Sequence, residues 1–454
     1  MNFTSPVFFC FFPVILAGYY FLPKKRIWIW LLLASILFYL FHSPWTALLL
    51  FFAIGISYVG AVKIEETKSA ACRKTWLCTV IFFCAGMLLF FKYRKFQPAG
   101  ISFYTFQTLS YVIDVYRGEM KAERHFGSYA LYISFFPQLV AGPIERPGNL
   151  LPQLKNLRQP NREELLCGLV RMLRGFFKKL AVADFLAVFA DRVFAAPGLV
   201  NGPAAAAGTI LFALQIYCDF SGYSDIARGC AQMFGVRLME NFKQPYLASS
   251  PREFWRRWHI SLTSWLTDYI YKPLGGSKKG LAVQCRNILI VFLCSGLWHG
   301  GGLNFILWGL CHGVLVVGET LFKRQGIFPQ KVKETNSGWK RKLWQAVFFL
   351  LICFPWIFFR AENVQTAFLM IGKLGMGWNL KGIVSAVRFL EVHPADLLQL
   401  VLGLGCIRLL NEKEERIFRK KSTLGVYFLI MTVFAALLLG LNMGTDSSFI
   451  YFQF

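Results

Sequence analysis

Two histidines stand in the most apolar, aromatic-rich part of the chain. His259 closes Pro251-Arg-Glu-Phe-Trp-Arg-Arg-Trp-His259, and His299 lies in Ser295-Gly-Leu-Trp-His299-Gly-Gly-Gly302. They are forty positions apart (299 − 259) and flank a basic, glycine-containing loop. Imidazole exchanges a proton near neutral pH, and an ionisable side chain inside a membrane segment is costly enough to imply function. The pair points to chemistry carried out at membrane depth. The glycines after His299 open the backbone around it. For His259 a second reading stands beside this one, an interfacial or core histidine bonded to a carbonyl.

Gln215-Ile-Tyr-Cys-Asp219-Phe-Ser221-Gly-Tyr223-Ser-Asp225 ends an apolar run with two carboxylates and several hydroxyls. Buried charges need partners, so Asp219 and Asp225 serve either a polar network between helices or contacts to substrate. The six histidines, at 42, 125, 259, 299, 312 and 393, form no H-x-x-x-H or H-E-x-x-H spacing. The twelve cysteines form no C-x-x-C pair and read as small buried hydrophobes. No metal site is expected. A Walker A motif and a G-x-S-x-G elbow are both missing, which leaves ATPase and serine-hydrolase readings without support.

The elements that must position these residues are membrane helices. The chain has 454 residues, 56% hydrophobic and 17% aromatic, with only 16% charged and a mean hydropathy of +0.48. Apolar segments recur at 6–22, 27–41, 44–62, 76–91, 101–116, 127–141, 165–195, 203–220, 286–298, 303–322, 343–359, 395–410 and 423–443. Many approach the ~20 residues that cross a bilayer. The expected fold is an all-α polytopic membrane protein, one helical bundle of about eleven spans with re-entrant and amphipathic helices around a central cavity. The uncleaved N-terminal apolar stretch reads as the first span.

The net charge of +25 does not indicate nucleic acid. The Lys and Arg residues cluster between apolar runs, as at Lys24–Arg26, Lys331–Lys342 and Arg408–Lys421, where they set topology and meet anionic lipid. The basic stretches 323–342, 408–421 and 272–286 are expected to be cytoplasmic and the tail 444–454 outside. Lys92-Tyr-Arg-Lys95 fits this count badly. Ile288–Trp298 is eleven residues long, about 16 Å of helix, so its glycine break is expected inside the membrane, with His299 on a cavity. Residues 251–272 are expected to form one amphipathic helix. One face carries Trp255, Trp258, His259, Leu262, Trp265, Leu266 and Tyr269; the other carries Arg257, Ser261, Ser264 and Asp268. The tail Phe449-Ile-Tyr451-Phe-Gln-Phe454 is either an interfacial aromatic anchor or a stub that presents Tyr451 to His299.

Several of these stretches occur together, in order. They are Gly100-Ile-Ser-Phe-Tyr-Thr-Phe-Gln107, Tyr111-Val-Ile-Asp-Val-Tyr-Arg-Gly118, Phe136-Pro-Gln-Leu-Val-Ala-Gly-Pro-Ile144, Tyr217–Asp225, Phe254–Leu262, Tyr271-Lys-Pro-Leu-Gly-Gly276 and Leu297-Trp-His-Gly300. In this the chain resembles the membrane-bound O-acyltransferase family, in its bacterial alginate and peptidoglycan O-acetylation branch, along most of its length. The resemblance implies a single membrane domain with a catalytic core at about 100–320, located in the bacterial cytoplasmic membrane. It makes His299 the catalytic histidine and matches His259 to a second, partly invariant one. The tail resembles that of a small companion peptide in the related D-alanylation systems, whose tyrosine carries the acyl group, and so suggests Tyr451 as a transient acceptor. Two departures stand out: Thr267 replaces an arginine usual in relatives, and the connection 92–99 is short.

The implied reaction passes acetyl from a cytoplasmic thioester, acetyl-CoA being the expected donor with no cofactor, to an exported or cell-wall polysaccharide through an exported SGNH-type partner. His299 is then the general base. Asp219, Ser221, Tyr223, Asp225, Trp298, Arg256 and Arg257 are candidates for positioning substrate. Lys278 and Lys279 either meet donor phosphates or only set topology. Two alternatives stay open: a D-alanyl transferase fed by a carrier-protein thioester, and a transporter or flippase, for which the inverted repeats are not visible.

Overall fold

A computed structural model describes residues 1–41, 44–94, 98–326, 338–417 and Met431. The tail with Tyr451 and, Met431 apart, the expected span 423–443 lie outside the described residues. Two compact units make up the chain, Met1–Phe176 with Tyr223–Glu240, and Phe177–Gly222 with Asn241–Phe454.

The first unit holds α1 (Pro6–Phe21), α2 (Lys24–Leu40), α3 (Pro44–Glu66), α4 (Ala70–Lys92), α5 (Ile101–Arg117), α6 (Phe126–Ser134), α7 (Phe136–Leu139), α8 (Pro147–Lys155) and α9 (Arg162–Phe176). Gly100 starts α5 in the left-handed region at φ 71°, pressed on the carbonyl of Leu139, where a side chain has no room. Lys92, the residue that fits the topology badly, is buried at the end of α4. Phe3, Phe8, Phe38 and Phe136 pack ring against ring, and the Tyr19 hydroxyl shares its one proton between the carbonyls of Arg158 (2.8 Å) and Phe234 (2.7 Å). Arg174 grips Asp225 with two bonds of 3.0 and 2.6 Å, both side chains buried.

The second unit opens with a π-helical stretch, Phe177–Ala183. It comprises α10 (Asp184–Ala195), the first part of α11 (Gly202–Met233), α12 (Pro251–Trp255), α13 (Ile260–Leu266), a π-helical stretch Thr267–Tyr271, α14 (Leu281–His299), α15 (Leu303–Arg324), α16 (Gly338–Arg360), α17 (Val364–Lys373), α18 (Leu380–Leu390) and α19 (Pro394–Ile417). α14 and α15 form a hairpin closed by Gly300–Gly302. They approach closely because Gly309 lies on the carbonyl of Phe292 and Gly296 on that of Phe305, where added side-chain carbons would collide with backbone. Gly309→Val is therefore expected to lower stability by about 1–3 kcal/mol, the usual range for overpacking, read as a lower melting temperature in detergent.

The architecture is all-helical among the described residues, as expected, but the spans differ from the sequence reading. Six described helices (α3, α4, α11, α14, α15 and α16) are long and apolar enough to cross a membrane, or seven if α18 and α19, bent by 82°, count as one. Eleven were expected. The run 127–141 breaks into α6 and α7. The run 165–195 becomes α9, a π turn and α10 around buried Arg174, Lys178, Lys179 and Asp184. α1 and α2 are 16 and 17 residues long.

Two local expectations are corrected. Residues 251–272 are not one helix: the backbone turns at His259, which adopts φ 43°, ψ 54°. α14 begins at Leu281 rather than 288, because its first turns carry Gln284, Arg286 and Asn287, which a search for apolar runs passes over. Its 19 residues rise about 28 Å, so the glycine break falls near full membrane depth rather than halfway.

Candidate active site

His299 is the last residue of α14 and is 3% exposed. Its ring is enclosed edge-on by Trp298 (4.8 Å), Trp308 of α15 (4.8 Å) and Phe359 of α16 (5.2 Å). The glycine contacts between α14 and α15 bring Trp308 to it. Asn304 fixes the third wall: its side-chain amide donates to the carbonyls of Phe358 (3.2 Å) and Ala361 (3.0 Å), tying the start of α15 to the end of α16. Gly300 has a packing reason as well as an access one, since any side chain there would strike the Phe305 ring.

His259 is fully buried. The residue that places it was not singled out in the sequence. The Asn241 side-chain oxygen lies 3.2 Å from His259 Nδ1 and accepts from the Ser261 backbone N–H (3.1 Å) and hydroxyl (2.8 Å), while the Asn241 carbonyl accepts from Ile260 N–H (3.0 Å). One asparagine from the preceding segment thus caps α13 and holds the imidazole. Its only sequence signal is a polar residue in a short connection between apolar elements. Asn241→Ala is expected to cost about 0.5–2 kcal/mol, as for loss of a helix cap, and to lower activity with it; a melting curve and a transfer assay on the same preparation check both.

The two histidines meet at one indole. Trp298 lies 5.8 Å from the ring of His259 and 4.8 Å from that of His299. Of the face expected to be apolar, Trp255, Trp258, His259, Leu262, Trp265 and Leu266 are buried and Tyr269 is half-buried, but the helix carrying it is broken and Ser261 of the opposing face is buried as well.

A cavity of about 300 Å³ lies among α12, α13, α14 and α15. Arg252, Arg256, Thr263, Thr267, Tyr271 and Ser295 supply its polar wall, and the rest is apolar. Ile288, Phe292 and Ser295 line it from α14. His299 follows at the same i, i+4, i+7, i+11 spacing, one turn beyond Ser295 on that face. Thr267 is on this wall, and the cavity's guanidinium groups come from Arg252 and Arg256. Arg252 is steered by Thr320 Oγ1 at 2.5 Å.

The remaining candidates are spread more widely. Arg257 pairs with Glu253 at 2.5 Å. Lys278 and Lys279 are exposed, on a loop whose carbonyls at Leu274 and Gly276 bond to the buried Asn287 amide. Asp219 pairs with Lys179 at 2.6 Å, and Lys179 also holds Asp184 at 2.7 Å, all three buried. Ser221 belongs with Asp219 to the second unit. In the first unit Tyr223 packs on Phe3 (4.7 Å) and Asp225 on Arg174. Tyr451 lies outside the described residues.

A family model described as MBOAT, membrane-bound O-acyltransferase family, matches residues 119–360, which include both histidines and the cavity. A probable alginate O-acetylase AlgI of Pseudomonas putida is 35% identical over the whole of both chains. That of Pseudomonas fluorescens is 40% identical over 82% of this chain and 75% of its own. A peptidoglycan O-acetyltransferase of Helicobacter pylori is 33% identical over 82% and 80%, respectively.

Proposed function

We infer the reaction from one premise: the chain belongs to the membrane-bound O-acyltransferase family and is a multi-pass acyltransferase enzyme. The finer reading is transfer of acetyl from acetyl-CoA, on the cytoplasmic side of a bacterial cytoplasmic membrane, toward an exported or cell-wall polysaccharide, completed by an exported SGNH-type partner. The names of the relatives, alginate and peptidoglycan O-acetylating proteins, support the acetyl group and the polysaccharide.

The observation that carries the mechanism is His299 at the end of the α14 face that lines the cavity. In this reading the acyl thioester lies along that face. Arg252 and Arg256 meet its phosphates as bidentate donors, with Lys278 and Lys279 nearer solvent. His299 removes the proton of the accepting hydroxyl as it attacks the thioester carbonyl. Trp298, Trp308 and Phe359 fix the imidazole and keep bulk solvent from the thioester. Asp219 and Asp225, each in a buried ion pair, hold helices in place. If Tyr451 is the first acceptor, the reaction runs through a tyrosyl ester.

Mass analysis of the purified protein after incubation with acetyl-CoA tests this reading. An acetyl adduct on the tail peptide, lost in both His299→Ala and Tyr451→Phe, is the expected result. Release of coenzyme A without an adduct, and only when the acceptor polysaccharide is supplied, would mean direct transfer. No release at all would favour the D-alanyl reading, with its carrier-protein donor.

A further inference from the structure

His312 has no role in that reading, yet it is the third imidazole of the same aromatic cluster. It sits in α15, 1% exposed, within a cage of rings: Phe254 parallel to it at 6.0 Å, Trp255 edge-on at 4.9 Å, and Trp308 at 5.1 Å. Neither of its ring nitrogens bonds to a protein group among the described residues. A buried polar group left without a bond costs about 1–3 kcal/mol, and a phenylalanine would fill this cage without that cost. The neighbours share the condition: the indole N–H groups of Trp255 and Trp308 also have no bonding partner among the described residues. Three buried rings with unused polar atoms, packed together, suit bridging water, which typically makes about three bonds at such sites.

The placement gives the imidazole a task. Trp255 and Phe292 line both its cage and the cavity. Trp308 lies against both His312 and His299, at 5.1 and 4.8 Å. His312 is therefore bounded on one side by the thioester's cavity and on the other by a ring that also packs on the base.

We propose that His312 is a proton-relay residue serving the leaving thiolate, a role that rests on the transferase reading above. The acceptor O–H bond breaks and its proton goes to His299. A C–O bond forms and the C–S bond breaks. The sulfur takes its proton from His312 by way of bridging water, and His312 recovers one from His299 by the same route. One proton moves from oxygen to sulfur and nothing is oxidised or reduced.

The test varies the leaving group. A thiol of low pKa leaves without needing a proton, so loss of the relay should be rescued by an acidic thiol, whereas a structural defect should not. Single-turnover thiol release by the purified full-length chain is compared for acetyl-CoA and 4-nitrothiophenyl acetate. His312→Phe, which fills the cage, is expected to slow release from acetyl-CoA about a hundredfold, the lower end of acid–base effects, and release from the nitrothiophenyl ester by less than about threefold. His312→Gln, which bonds water but does not exchange protons, should behave in the same way. Equal losses on both donors, or full activity of either variant on acetyl-CoA, overturn the relay. A wild-type protein that releases neither thiol overturns the reading of acetyl-CoA as donor, and the relay with it. Full activity of His312→Phe beside an inactive His299→Gln overturns the relay alone.

Discussion

Replacing His299 with glutamine is expected to slow acyl transfer by about 10²–10⁴-fold, the span that general-base help supplies, with little change in melting temperature. Glutamine has nearly the reach of imidazole and keeps a polar end, so the box of Trp298, Trp308 and Phe359 stays filled. What is lost is the lone pair that takes a proton from the attacking hydroxyl. The loss should be the same for an acidic or an ordinary leaving thiol, since deprotonation of the acceptor does not depend on what departs. An activity near wild type in a well-folded variant would remove His299 from the chemistry. Side-by-side transfer assays and melting curves decide it.

Asp225→Ala should act on folding. Asp225 and Arg174 are both buried and joined by two bonds. Removing the carboxylate strands a guanidinium away from water, and breaking such a pair costs about 3–5 kcal/mol. That is a large part of the ~5–15 kcal/mol that holds an ordinary domain together. The expected result is a sharp fall in the melting temperature and in the monodisperse fraction after detergent extraction. The double variant Arg174→Met with Asp225→Leu should recover most of it, because an apolar pair of similar volume is often neutral or better. A single variant that melts like wild type would mean the pair adds nothing to stability.

How much of this was legible depends on how local the cause is. The aromatic face of 255–266 and the glycine break after His299 were readable, because periodicity and glycine act over one or two turns. The need of Asp219 and Asp225 for partners was also readable, from the cost of burying charge. Their identities were not. Arg174 is 51 residues from Asp225, and nothing in Lys179 marks it as the shared cation of Asp219 and Asp184. The bend at His259 was hidden for the same reason, since Asn241, which caps the next helix, is 18 residues before it. The start of α14 was misplaced because Arg286 and Asn287 interrupt hydropathy; Asn287 pays for its burial by tying down the loop at Leu274 and Gly276.

The left-handed backbone of His259 limits which residues that position tolerates, apart from any chemistry. Glycine adopts this conformation freely and asparagine, aspartate and histidine with modest strain, whereas valine and isoleucine are excluded by their branched side chains. A saturation library at 259 selected for folded protein alone should return that narrow set. Depletion of other residues there in a functional selection is therefore no measure of catalysis. The comparison that isolates the imidazole is His259→Asn, in which the backbone is satisfied and only the ring is gone.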